Sequence, residues 1–174
     1  LTFMEGGILF SIFGYFKGFN SRGHNKIPHF VSGIDASAKD ENFHSIGSAW
    51  LYNTCRLERE ALGLELHGSN LIVDLAIETY QHECAIIDLI YSVEPESIRT
   101  INKEDLKHFI RDRIDLVLTY LNTAPLFNNP KGVISLWFYE NLSQFKYSDF
   151  FASTQVQYVK NWDKNSLTFD LGVL

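Results

Sequence analysis

Several features that would assign a function class are missing from this sequence of 174 residues. It has two cysteines, Cys55 and Cys84, which stand far apart and form no CxxC pair or disulfide framework. We find no internal repeat, low-complexity tract, glycine-rich phosphate loop or Ser-His-Asp signature. Isolated cysteines are typical of reduced thiols, and we therefore expect a cytoplasmic protein.

An excess of positive charge and a membrane span are also lacking. The net charge of −6 argues against a general nucleic-acid or anionic-membrane surface. The apolar run over residues 1–16 contains Glu5 and is shorter than the roughly 20 residues that a transmembrane helix needs. Because the chain begins at Leu1 inside a helical pattern, we expect a fragment or one half of a split protein.

What is present is an ordinary globular composition, 45% apolar and 21% charged, arranged with helical periodicity. The periodicity predicts four long helices, over about residues 3–19, 30–62, 70–92 and 102–121. Gly63 is placed to end the second helix, and Asn102 to cap the fourth. Residues 132–143 fit either a helix or a strand. The sequence therefore predicts an all-α domain over residues 1–143. A tail follows over residues 144–174, and its scattered aromatic residues are typical of a binding peptide.

The fourth helix has a clear apolar face, which predicts the core. Asp112 and Arg113 interrupt this face, and we expect them to pair with other helices. The predicted core residues are Leu106, Phe109, Ile110, Ile114, Val117 and Leu121.

Glu41 and His44 are the strongest candidates for chemistry. In a helix, residues three apart leave the same face one turn apart, and a carboxylate with an imidazole can bind a transition metal. Glu5 lies on the apolar stripe of the predicted first helix, where a carboxylate needs a partner, a proton or a metal. A solvated Glu41 with a core His44, and a frayed exposed first turn at Glu5, remain alternatives.

A second group of similar residues lies on the third helix. Glu78 and His82 are four residues apart and Glu83 follows, so these side chains could also chelate a metal. We interpret them instead as a charged helix face with an i,i+4 pair, which is the commoner reason for this spacing.

The order of the motifs resembles the C-terminal half of the small, radical-generating subunit of class I ribonucleotide reductase. The family's Arg/Lys-Asp-Glu-x-x-His signature is similar to KDENFH, and its glutamate-bearing helix is similar to MEGGILFSIFGYF. Its following helices are similar to QHECAIIDLIY and NKEDLKHFIRDRIDLVLTYL. Its tail is similar to DFFASTQVQY and then KNSLTFDLGVL. Together these matches run in order over nearly the whole chain.

The resemblance implies a ferritin-like helical bundle, of which this chain is the C-terminal part, with a tail that docks on the large subunit. It assigns Glu5, Glu41 and His44 to a metal ion of a di-metal site, either two irons or manganese with iron. It assigns radical transfer to Asp40 and to Tyr158 in the tail.

The resemblance also gives Glu83 no ligand role and places Leu9 and Phe13 in the apolar pocket around the radical. It further implies a small-subunit homodimer and an N-terminal half that supplies the other ligands and the radical tyrosine. The activity implied is reduction of ribonucleotides to deoxyribonucleotides.

Two departures concern the tail. Ala152 stands where an acidic residue is common, and the last three residues, Gly172, Val173 and Leu174, differ from the usual acidic, aromatic end. Other interpretations of the chain are another ferritin-like di-metal oxidase, or a non-catalytic helical interaction protein that keeps the motif as packing.

Overall fold

The computed structural model describes residues 1–64, 69–93 and 95–143. Within them the backbone forms no strand, which confirms the all-α class, and residues 133–143 are helical. The predicted tail, with Tyr158, lies outside the described residues. The helices, which belong to one compact unit (Leu1–Gln144), are α1 (Thr2–Gly6), α2 (Phe10–Gly18), α3 (Pro28–Ala61), α4 (Ser69–Val93), α5 (Lys103–Tyr120) and α6 (Val133–Ser143).

Local signals end α3 and begin α5 as predicted. Gly63 follows α3 with a φ of +67°, a left-handed conformation that glycine adopts without a Cβ penalty. The Leu64 N–H then donates to the Arg59 carbonyl at 2.9 Å. Before α5, the Asn102 side chain accepts the Glu104 N–H at 2.8 Å. Both caps are confirmed, because their contacts join residues that are close in sequence.

The prediction of one helix over residues 3–19 is wrong, because the helix is interrupted between α1 and α2. Leu9 has a φ of +72°, a left-handed conformation that is rare for a residue with a branched side chain. The Ile8 N–H donates to the Phe3 carbonyl at 3.1 Å and closes α1. Residues before and after this interruption therefore do not share one helical stripe.

Helix α5 is the centre of the bundle, because it contacts each of the other five helices. All six of its predicted core residues are buried, and Leu118 joins them. The side chain of Arg113 is also fully buried, which agrees with the expectation that it pairs with other helices. The core of the bundle is thus the apolar face that the sequence of α5 shows.

The outer face of α3 carries large apolar side chains. Phe43, Trp50 and Leu57 are 75%, 67% and 66% exposed. In the part of the chain that the structure describes, no helix combines the length and the apolar character needed to cross a bilayer. Exposed apolar patches of this kind mark surfaces that contact other proteins.

We expect two glycine-to-alanine substitutions to have opposite effects on stability, one set by close packing and the other by helix propensity. A Cβ at Gly6 would lie 2.2 Å from the Ser45 Oγ and 2.7 Å from a Val117 methyl group. Gly6→Ala should therefore lower the free energy of unfolding, by about 1–3 kcal/mol in urea titrations.

The matched control is Gly47→Ala in α3, where a new Cβ would meet no atom within 4 Å. This substitution should raise the free energy of unfolding by about 0.5–1 kcal/mol, because alanine is the better helix former. Equal stabilities of the two variants would contradict the close approach of α1 to α3.

Candidate metal centre

The structure brings together the three residues that the sequence singled out as metal ligands. Glu5 lies on α1, and Glu41 and His44 lie one turn apart on α3. The two helices pack closely, because Gly6 leaves room for Ser45. One ligand atom of each of the three side chains lies within 4.8 Å of the others.

The spacing of these atoms suits a transition-metal ion. The His44 Nδ1 lies 3.5 Å from a Glu5 oxygen and 3.4 Å from a Glu41 oxygen. Two ligand atoms that each lie about 2.1 Å from one ion are about 3.0–3.4 Å apart at octahedral or tetrahedral angles. Two carboxylates and one imidazole are also a donor set that iron and manganese accept. The residues present therefore fit the metal that the resemblance implies.

The carboxyl group of Glu5 affects the ionisation of Glu41. A hydrogen bond with Glu5 is the main cause that raises the pKa of Glu41, and partial burial adds to it. The hydrogen bond and the charge of His44 lower the pKa of Glu41, but by less. Without a cation, Glu41 thus retains a proton more readily than an isolated glutamate does. A bound metal ion would displace this proton, since metals bind the ionised carboxylate.

The site lies at the surface of the described bundle. The side chains of Glu5, Glu41 and His44 are 27%, 32% and 58% exposed. None of them lines the apolar cavity of about 590 Å³ whose walls include Leu71 and Leu75 of α4. The metal group therefore lies outside this cavity, on a partly exposed face of the bundle.

Of the two residues predicted to transfer the radical, Asp40 lies within the described residues. Asp40 precedes Glu41 on α3, and its side chain is exposed and does not join the metal-ligating group. Tyr158 lies outside the described residues. Their roles stay predictions.

The helix interruption changes the positions of two further predicted residues. Phe13 is buried in α2, at 7% exposure. Leu9 is 45% exposed. Leu9 lies at the break between α1 and α2, so it does not continue the helical face that carries Glu5.

The interpretation of Glu83 as part of a charged outer face was also wrong. Its carboxylate is fully buried and accepts the Leu9 N–H at 3.1 Å and the Ser11 N–H at 2.9 Å. Glu83 thus caps the start of α2, where Leu9 offers no side-chain cap. His82 and Glu78 do lie on the exposed face, as predicted.

No local signal in the sequence marks this capping role of Glu83. The glutamate is 72 positions away from Ser11 in the sequence. Only the weak helix propensity around the two glycines Gly6 and Gly7 indicates that the first helix could break there.

A family model matches most of the chain. The sequence model of the family described as "Ribonucleotide reductase, small chain" matches residues 1–132, about three quarters of the chain. No curated protein sequence matches the chain significantly. The matched region contains all three clustered side chains and the helices that carry them, and its all-α architecture is consistent with a ferritin-like bundle. The chain belongs to the ribonucleotide reductase small-chain family.

Proposed function

We propose that this chain supplies one metal-binding half of the di-metal centre in a ribonucleoside-diphosphate reductase small subunit. The observation that carries the proposal is the convergence of Glu5, Glu41 and His44 in a member of this family. The metals are two irons, or manganese with iron, for which carboxylate and imidazole ligands are suitable. When bound in its oxidised form, the metal pair would accept one electron from a nearby tyrosine.

The chain's own residues hold and orient that centre. Glu5 and Glu41 provide the negative charge that offsets the cation, and the imidazole of His44 provides a neutral donor. The packing of α1 against α3 fixes the carboxylate of Glu5 opposite the two ligands on α3. The contribution of the protein is therefore ligand geometry and charge, while the metals carry the redox chemistry.

Three ligands are too few for two ions, so we propose that the others come from an N-terminal half. Within residues 1–64, 69–93 and 95–143, no second group of three metal-ligating side chains converges. The half that adds the remaining ligands and the radical tyrosine would also cover exposed apolar residues of α3 such as Phe43 and Trp50. On its own, the chain should be inactive.

The proposed assembly is cytoplasmic and includes a small-subunit homodimer and the large subunit. Asp40 and Tyr158 would pass the radical toward the large subunit, which reduces ribonucleotides to deoxyribonucleotides. The tail over residues 144–174 would dock there. These roles rest on the matching motifs in the sequence and on family membership.

Two other functions make different demands on the chain. Another ferritin-like di-metal oxidase would need the metal ligands but no docking tail. A non-catalytic helical interaction protein would need neither, and its Glu41 and His44 would serve only packing. Metal binding and large-subunit binding therefore distinguish the three functions.

We expect the double substitution Glu41→Ala/His44→Ala to abolish saturable metal binding. Two of the three ligands are lost, so the visible absorption of bound Co²⁺ should no longer rise to saturation in a titration. The matched control is Glu78→Ala/His82→Ala, which removes the same residue types from the exposed face of α4. Unchanged Co²⁺ binding in the first variant would favour the non-catalytic function.

We expect removal of the residues after Gln144 to abolish binding to the large subunit while Co²⁺ binding is retained. The physical reason is that a short peptide docks through its own anchoring side chains. Binding can be measured by titration calorimetry with the large subunit.

The control for the truncation is Tyr158→Phe in the full chain. This variant should still bind the large subunit but should not support nucleotide reduction in the assembled enzyme, because phenylalanine has no phenol to oxidise. Unchanged large-subunit binding after truncation would contradict the docking role and favour the di-metal oxidase.

A further inference from the structure

Arg113 is a fully buried cation in the middle of the bundle. It lies on α5, and its guanidinium carbon is 3.9 Å from the centre of the Phe10 ring. Among the described residues, no carboxylate lies within ion-pair distance of it. A buried charge without a counter-ion is costly unless its hydrogen bonds are strong. The side chain therefore needs an explanation beyond apolar packing.

The hydrogen bonds of Arg113 lead directly to the metal group. Its Nε donates to the carbonyl of Gly6, the residue that follows Glu5. Its Nη1 donates to the Asn42 Oδ1 at 2.7 Å, and Asn42 follows Glu41. One guanidinium thus connects the neighbours of both carboxylates, which belong to different helices.

An arginine is suited to this connection. The guanidinium is planar, and its N–H groups point in fixed directions, so its two acceptors are held at a set separation. Stacking on Phe10 fixes the plane of the group. A lysine would carry the same charge but a single nitrogen, and it could not reproduce both directions.

Two aromatic side chains also lie beside Arg113. Phe10 lies over the guanidinium, and the positive charge of Arg113 acts on Tyr139 of α6. Burial raises the pKa of Tyr139, an effect that Arg113 opposes. Because Arg113 is fully buried, close packing around it leaves the guanidinium few alternative positions. Its bonds to Gly6 and Asn42 are therefore preformed.

We propose that Arg113 is a positioning residue of the metal centre, which sets the separation of Glu5 from Glu41 through Gly6 and Asn42. The inference rests on the proposed function and deepens it. Arg113 touches no proposed ligand and no substrate, so it acts only through the backbone of α1 and the side chain of Asn42. Its loss should loosen the ligand geometry even in a chain that still folds.

The test compares Arg113→Lys with Arg111→Lys in the full chain. Arg111 lies two residues earlier on α5 and donates to the Tyr80 hydroxyl, away from the metal group. The Kd for Co²⁺ should rise about tenfold or more in Arg113→Lys and stay unchanged in Arg111→Lys. The visible Co²⁺ spectrum should also change in the first variant, because it reports ligand geometry.

Asn42→Leu provides a second variant in case Arg113→Lys does not fold. It removes one of the two acceptors from a half-buried position outside the core. It should weaken Co²⁺ binding in the same direction, and the double variant with Arg113→Lys should bind about as weakly as the more impaired single variant. A purely structural role would lower the unfolding temperature of these variants without changing the Co²⁺ affinity of the folded protein.

Two results would overturn the proposal. Wild-type affinity and spectrum in folded Arg113→Lys and Asn42→Leu would show that Arg113 does not position the ligands. If Glu41→Ala/His44→Ala still loses Co²⁺ in that experiment, the proposed metal centre stands and only the role of Arg113 falls. If the wild-type chain binds no Co²⁺ at all, the metal centre and this role fall together.

Discussion

The interruption between α1 and α2 is the constraint on which the site depends. Helix ends leave backbone carbonyls and N–H groups without partners, and here two buried charges meet them. Arg113 donates to the carbonyl of Gly6 at the end of α1, and Glu83 accepts the Leu9 and Ser11 N–H groups at the start of α2. The positive Arg113 lies at the C-terminus of a helix and the negative Glu83 at the N-terminus of another, and both arrangements are electrostatically favourable.

Because of this interruption, one part of the N-terminal segment carries a metal ligand and the other part packs into the core. Helix α1 is short and carries Glu5 against α3, while α2 begins anew and packs Phe10 and Phe13 into the core. The left-handed conformation of Leu9 costs free energy, and the bonds to Glu83 offset it. The carboxylate of Glu5 can thus lie beside His44 and Glu41 without disturbing the apolar packing of α2, which begins five residues later at Phe10.

The sequence predicted what depends on near neighbours. The ends of α3 and α5 follow from Gly63 and Asn102, and the buried face of α5 follows from its apolar periodicity. The pairing of Glu41 with His44 follows from their spacing on one helix. The break at Leu9 and the burial of Glu83 could not be predicted, because they arise from contacts between residues more than 70 positions apart. The helical pattern of a sequence is the same whether a glutamate is solvated or caps a distant helix, so the pattern cannot distinguish the two.

The central claim is that Glu5, Glu41 and His44 bind one metal ion together. Anomalous diffraction from crystals of the chain soaked in Mn²⁺ tests it most directly, because the signal gives the position of the ion. The account predicts a single strong peak between these three side chains, which should be absent in Glu41→Ala/His44→Ala. A peak elsewhere, such as beside Glu78 and His82, with none at the three residues would contradict it.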